Sequence, residues 1–179
     1  MKQKVLITGA SGFLGYHLVA AAVQAGYEVF AAVRSSSQVA HLKTMPVQFV
    51  TLILQSQENL KKQMLDYNFD FVIHAAGITK ALSPADYYLV NCTYTQYLAE
   101  AAMAMPAFKR FIFISSLAAV GPLKAAEGKI TENTICKPVT AYGESKLAAE
   151  KALGDLQIEA TVLRPTAIYG PMEKDIFIV

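Results

Sequence analysis

Residues 4–15 read Lys-Val-Leu-Ile-Thr-Gly-Ala-Ser-Gly-Phe-Leu-Gly, an apolar run that breaks at once into glycines at positions 9, 12 and 15. No other stretch constrains the fold as much. A strand here must give way to a helix within a few residues, and glycine is the residue that permits so tight a turn. Gly9 allows the turn, Gly12 the close approach of phosphates, and Gly15 the packing of the helix against the strand. Gly9, Ser11, Gly12, Phe13, Leu14 and Gly15 are therefore the candidate contacts for a dinucleotide pyrophosphate held on the helix's N-terminal amides. The spacing is Gly-x-x-Gly-x-x-Gly, one residue wider between the first two glycines than Gly-x-Gly-x-x-Gly. A glycine-rich turn without any ligand reads the same way, so the loop needs support from elsewhere in the chain.

At 179 residues the chain, 1–179, suits one domain able to bury roughly 70% of its unfolded surface. Hydrophobic residues make up 54% and charged residues only 17%. That excess suits strands covered by helices on both faces, which read as apolar runs rather than alternating patterns. A net charge of +2 without a long Lys/Arg run argues against nucleic acid as a partner. No apolar stretch approaches a membrane span, and the N-terminus enters a strand without the basic and longer apolar segments of a secretory signal. Cys92 and Cys136 lack close spacing or metal-ligand neighbours and read as a buried residue and a loop thiol. The expectation is a cytoplasmic protein with neither metal nor membrane.

Apolar runs recur at 5–7, 29–33, 47–54, 69–73, 111–114 and 160–163. Between them, 14–25, 59–67, 87–105 and 141–153 carry helical spacing, whereas 35–44 suits a short helix or a loop equally well. Strands alternating with helices imply crossovers and a parallel sheet. The expected class is therefore α/β, a doubly wound parallel sheet. Residues 121–138 read as a surface loop, with Gly-Pro and Lys-Pro pairs and little periodicity.

Tyr142 and Lys146 stand at i and i+4, on one face of the last predicted helix. A nearby ammonium favours the phenolate, so Lys146 is expected to lower the tyrosine pKa and make Tyr142 a usable acid or base. Such pairs also occur on solvated helices. The run at 112–114 ends in Ser115 and Ser116, and the carboxyl ends of strands in an open parallel sheet face the ligand crevice. A serine there can position a substrate oxygen near the tyrosine, or merely cap the strand end.

With these residues assembled, the chain resembles the extended short-chain dehydrogenase/reductases, the group of nucleotide-sugar epimerases and dehydratases, dihydroflavonol-type reductases and hydroxysteroid dehydrogenases. The resemblance keeps the family's order along the whole chain. It runs from Thr-Gly-x-x-Gly-x-x-Gly at 8–15, through His-Ala-Ala-Gly at 74–77 and Val-Asn-Cys-Thr at 90–93, to Ser115-Ser116 with Val120-Gly121. It ends with Tyr142 and Lys146 and with Leu-Arg-Pro-x-x-x-Tyr-Gly-Pro at 163–171. It implies a Rossmann fold and hydride transfer on a hydroxyl or carbonyl substrate such as a nucleotide sugar. By the same resemblance Ser116 is the catalytic serine and Tyr142 the acid/base. Lys146 holds the nicotinamide ribose, and His74 supports the strand end. Ala75, Ala76, Gly77, Asn91, Pro165 and Ile168 join the cofactor contacts, with Asn91 also a candidate structural amide. The helices at 87–105 and 141–153 would pair two subunits into a homodimer, and Leu98, Ala102, Leu147 and Ala148 are candidates for a second buried face.

The cofactor reading rests on the end of the second strand. No acidic residue lies between 31 and 37, where one would bind the adenosine ribose of NAD, and Arg34 offers a positive fork for a 2′-phosphate. NADP is favoured over NAD. The family's Asp-Leu pair after the third strand is replaced by Ile53-Leu54, which leaves Leu54 to contribute through its backbone. Extended members continue well beyond this length into a substrate lobe, so the chain reads as a truncated piece retaining the cofactor domain. A non-catalytic dinucleotide sensor on the same fold is the rival reading, since fold alone does not fix function.

Overall fold

A computed structural model describes residues 2–123 and 128–173. Six parallel strands form one sheet: β1 (Lys4–Thr8), β2 (Glu28–Ala32), β3 (Val47–Val50), β4 (Phe71–His74), β5 (Arg110–Ile114) and β6 (Ala160–Leu163). Their spatial order is β3-β2-β1-β4-β5-β6, that of the Rossmann fold. The expected doubly wound α/β class is what the chain adopts. Thr8 pairs with both Ala32 and His74, and Ile114 with Leu163, so the strands' carboxyl ends lie side by side. The order reverses between β1 and β4, which opens a crevice at that edge.

Strand alternation divides the core in two. Val5, Ile7, Val29 and Ala31 point to one face, where Val19 and Ala22 of α1 (Phe13–Gln24) cover them. Leu6, Phe30, Val72, Phe111 and Phe113 point to the other. There they meet Leu60 and Met64 of α2 (Gln57–Tyr67), Leu98 and Ala102, and Ala149 and Leu153. Burial on both faces explains why the strands read as uninterrupted apolar runs.

The helix expected at 87–105 is longer and composite. It begins at α3 (Pro84–Tyr88), where Ser83 and Asp86 form a reciprocal capping box with proline in the first turn. It then passes through a π-helical turn (Leu89–Thr93) into α4 (Tyr94–Met103). Leu98 and Ala102, expected on a second buried face, are fully buried in the main core. The helix expected at 141–153 is α5 (Ala141–Asp155), capped by Thr140.

The strand expected over 47–54 stops at Val50. The Gln63 side chain accepts from the Ile53 amide and donates to the Thr51 carbonyl, taking the place of a strand partner. Residues 35–44 hold only a 3-10 turn, Ala40–Leu42. The Arg34 amide donates to Ser37 Oγ there, a local bond that competes with helix formation. Of the loop expected at 121–138, residues 124–127 lie outside the described residues, and 128–138 contain neither helix nor strand. Both cysteines are free thiols. No helix among the described residues is long and apolar enough to cross a membrane.

Candidate active site

The strand-to-helix turn is built around contacts that leave no room for a Cβ. Gly9 adopts φ +69°, and a Cβ there would lie 2.8 Å from the Ala75 and Ala76 backbone. At Gly15 an added Cβ would sit 2.0 Å from the Gly9 carbonyl oxygen. The turn is thus pressed against the end of β4 while α1 is pressed onto the turn. No side chain caps the start of α1, and its first turn carries no acidic residue. Its amides remain available for an anion.

Across the crevice, α5 brings its own chemistry to the end of β5. The Tyr142 phenol faces the Ser116 hydroxyl, which acts to lower its pKa, and the Ser116 Oγ accepts from the Ala118 amide. Ser116 therefore both caps the short turn after β5 and faces the tyrosine. Lys146 is buried; its Nζ donates to the Ile114 carbonyl at 2.7 Å and lies 4.4 Å from the centroid of the Phe113 ring. Burial pushes Lys146 down to about 8, with the Glu150 carboxylate pulling the other way.

The tyrosine departs from the sequence expectation. Burial pushes the Tyr142 phenol above its usual value, the Ser116 hydroxyl opposes that rise, and neighbouring Tyr87 adds to it. Lys146 does not depress it here, because the ammonium is turned to Ile114 and Phe113. At rest Tyr142 holds its proton.

One cavity of about 720 Å³ joins the two halves. Ser11, Gly12, Phe13 and Leu14 form its wall on the α1 side, and Ser116, Tyr142 and Lys146 its wall on the α5 side. Amides at one end and a Ser–Tyr–Lys group at the other thus face one continuous space, an arrangement that could take an anion on α1 and a reacting group by Tyr142.

The sequence profile of the NAD dependent epimerase/dehydratase family matches residues 5–178. The chain belongs to this family. Over 171 residues it is 36% identical to a ceramide reductase of Caulobacter vibrioides, covering 96% of this chain and 48% of that protein. It is 33% identical to the human UDP-glucose 4-epimerase, covering 87% of this chain and 49% of the enzyme. A UDP-glucuronic acid 4-epimerase from Bacillus cereus, solved in complex with NAD, superposes with a TM-score of 0.80 at 26% identity. That match covers 96% of this chain and 58% of the epimerase. The chain spans about half the length of the curated relatives it matches.

Family membership leaves each residue to be placed by the geometry. Ala75, Gly77, Pro165 and Ile168 line the cavity, whereas Gly9, Gly15 and Ala76 shape it from behind. Asn91 does not reach the wall. It is buried in the π-helical turn, where its Oδ1 accepts from the Ile78 amide and its Nδ2 donates to the Ile78 carbonyl and to Ser145 Oγ. These bonds are those of a structural amide, one of its two sequence readings. Arg34 is exposed beyond the end of β2 and is not part of the wall; Leu54 packs partly buried against the core.

His74 sits in a buried chain of bonds that ties the two halves together. The Ala76 amide donates to Thr8 Oγ1, which leaves that hydroxyl's proton for His74 Nδ1 at 2.7 Å. Nε2 then donates to Thr95 Oγ1, which donates to the Asn91 carbonyl. Burial pushes the imidazole down to about 3, so it is neutral, and the network fixes its proton on Nε2. Sequence reasoning missed Gln38, His41, Thr79, Lys80 and Glu173 in the wall. Thr79 and Lys80 directly follow the β4 motif, and that adjacency was their only sequence signal.

Proposed function

We propose that the protein is an NAD(P)-dependent hydride-transfer enzyme acting on a hydroxyl or carbonyl group, with Tyr142 as its acid/base. One observation carries the reading: Ser116, Tyr142 and Lys146 share a single cavity with the uncapped start of α1. A bound nicotinamide dinucleotide would supply the hydride acceptor or donor. The amides of Ser11, Phe13 and Leu14 would hold its pyrophosphate, the Gly12 amide being bonded to the Gly9 carbonyl, and Lys146 would hold its nicotinamide ribose. Ser116 would orient the substrate oxygen toward the phenol. Tyr142, protonated at rest, would give its proton to a carbonyl oxygen in reduction and take it back in oxidation. The raised phenol pKa keeps Tyr142 in the protonated form from which reduction starts. The ceramide reductase relative is in keeping with that direction, and the UDP-glucose 4-epimerases make a nucleotide sugar the alternative substrate class.

We assign NADP(H) as the preferred cofactor on Arg34 and the absence of an acidic residue from 31 to 37. The complex of the related epimerase with NAD makes NAD the competing assignment. We further assign a homodimer through α3–α4 and α5, for which Tyr88 and Leu89, both exposed, offer contact surface. Parallel fluorescence titrations of the chain with NADPH and NADH, repeated with Arg34→Ala, test the cofactor site. Tighter NADPH binding that falls to the NADH level in the variant supports both assignments. Equal binding removes the role of Arg34, and no binding by the folded chain removes the site. Light scattering during the same preparation reads the subunit number.

A further inference from the structure

Helix α5 sets Tyr142, Lys146 and Glu150 at i, i+4 and i+8, a single stripe on one face. All three reach the carboxyl end of β5. Tyr142 faces Ser116, Lys146 Nζ donates to the Ile114 carbonyl, and the Ser115 hydroxyl donates to Glu150 Oε1. The proposed reaction accounts for the first two and leaves the third unexplained. The Glu150 side chain is 7% exposed. Arg164 grips it from beyond β6, with Nε 3.1 Å from both carboxylate oxygens and Nη2 2.5 Å from Oε2. An apolar pair of similar volume would pack such a place at least as stably. The ion pair therefore points to a role beyond packing.

We propose that Glu150, braced by Arg164, is a positioning residue of this site: it clamps Ser115, and with it Ser116, against α5 and is the counter-charge of Lys146. The proposal rests on the oxidoreductase reading above and deepens it. The surroundings of Lys146 support it. Its own helix contributes Tyr142 and Glu150. From β4 comes His74, which is neutral; β5 contributes the Phe113 ring and the Ile114 carbonyl. Glu150 is thus the one carboxylate that acts on the ammonium among the described residues. On its far side Glu150 faces Arg164, which also meets the Cys136 thiol; Glu132 lines the same outer depression. Arg164 and Ser115 bind the carboxylate directly, while the Lys146 ammonium, one helical turn away and bonded to Ile114, feels its charge without touching it.

The test is a pH titration of the Lys146 side-chain resonance in lysine-labelled chain, assigned by its loss in Lys146→Arg. The wild-type midpoint is expected at about 8. Glu150→Gln should lower it by at least ~0.5 pH unit, and Glu150→Asp should restore part of that shift. Glu150→Gln strands a guanidinium and can fail to fold, so Glu150→Gln/Arg164→Met is titrated beside it. Because loss of the guanidinium by itself raises the lysine, Arg164→Met is the reference. A midpoint below that of Arg164→Met in the folded double variant supports the counter-charge. A double-variant midpoint no lower than that of Arg164→Met overturns the proposal and reduces Glu150 to a structural partner of Arg164. Binding of NADPH or NADH by the wild type, titrated with each in parallel, separates the two claims. Its absence removes the oxidoreductase reading, whereas binding with an unshifted lysine in the variants removes only the role of Glu150.

Discussion

The two ends of the cavity are made of different materials. On the α1 side the chemistry belongs to the backbone: glycines that admit close contact, and free amides without an acidic side chain beside them. On the α5 side it belongs to side chains, each fixed by a partner distant in sequence. Tyr142 meets Ser116, Lys146 meets Ile114, and Glu150 meets Ser115 and Arg164. A backbone site is rigid because replacing one glycine forces main-chain atoms apart. A side-chain site can lose one member and keep its fold. Single substitutions should therefore act through stability at one end and through chemistry at the other.

The largest effect is expected at Gly15. A valine there would place Cβ 2.0 Å from the Gly9 oxygen, a backbone atom that cannot step aside without moving the turn. Gly15→Val should cost ~3 kcal/mol or more and abolish cofactor binding, as read by thermal melting and titration. A variant that melts with the wild type would show that α1 can tilt away, and would erase the contrast between the two ends. At the other end, Tyr142→Phe should leave melting and cofactor affinity nearly unchanged. In the active enzyme it should lower turnover by about 10²–10⁴-fold, assayed with UDP-glucose and with a ceramide-type ketone. An equal loss in cofactor affinity would make Tyr142 a binding residue instead.

The same contrast explains which features the sequence makes legible. Gly9, Gly12 and Gly15 announce themselves because a backbone site needs a fixed local spacing, and the sheet order follows from apolar runs alternating with helical spacing. Ser116, Tyr142 and Lys146 are legible through family resemblance, since their meeting depends on how β5 and α5 pack. The direction of the tyrosine shift is not legible. It turns on where Lys146 Nζ points, and on burial outweighing the Ser116 hydroxyl. The role of Asn91 is equally open in the sequence, because the same amide could face a ligand or, as here, tie Ile78 to Ser145. Gln38 and His41 carry no local pattern and enter the wall only through the fold of residues 35–44.

The charge on Lys146 gives the side-chain end a pH signature that the backbone end lacks. Its folded pKa of about 8 lies below the ordinary lysine value of 10.5, so between these values the unfolded chain binds more protons than the folded one. Stability from this group is then present at high pH and lost as pH falls toward 8. Wild-type melting temperature should accordingly carry a rising contribution from about pH 8 to about pH 10, and Lys146→Met should lack it. The effect is of order 1–3 kcal/mol across the window. Parallel profiles for the two proteins would mean that the folded lysine titrates normally, as a solvated one does.

The smallest effect tests whether the side-chain end can be loosened without touching its chemistry. Ser83 caps α3 by accepting from the Asp86 amide, and Asp86 returns the bond to the Ser83 amide. That helix carries Tyr87, whose hydroxyl donates to the Thr79 carbonyl and whose ring meets Tyr142 edge-on at 6.2 Å between centroids. Ser83→Ala should cost about 1 kcal/mol by freeing the first turn. The loss should stay local, because α3 makes no bond to the glycine turn and the two ends communicate through Thr8, His74 and Thr95 instead. Amide exchange should therefore quicken over Pro84–Tyr88 and at Thr79, with residues 9–15 protected as in the wild type. Faster exchange in the glycine turn as well would show that the cavity opens as one unit, and that the division between its ends is chemical but not mechanical.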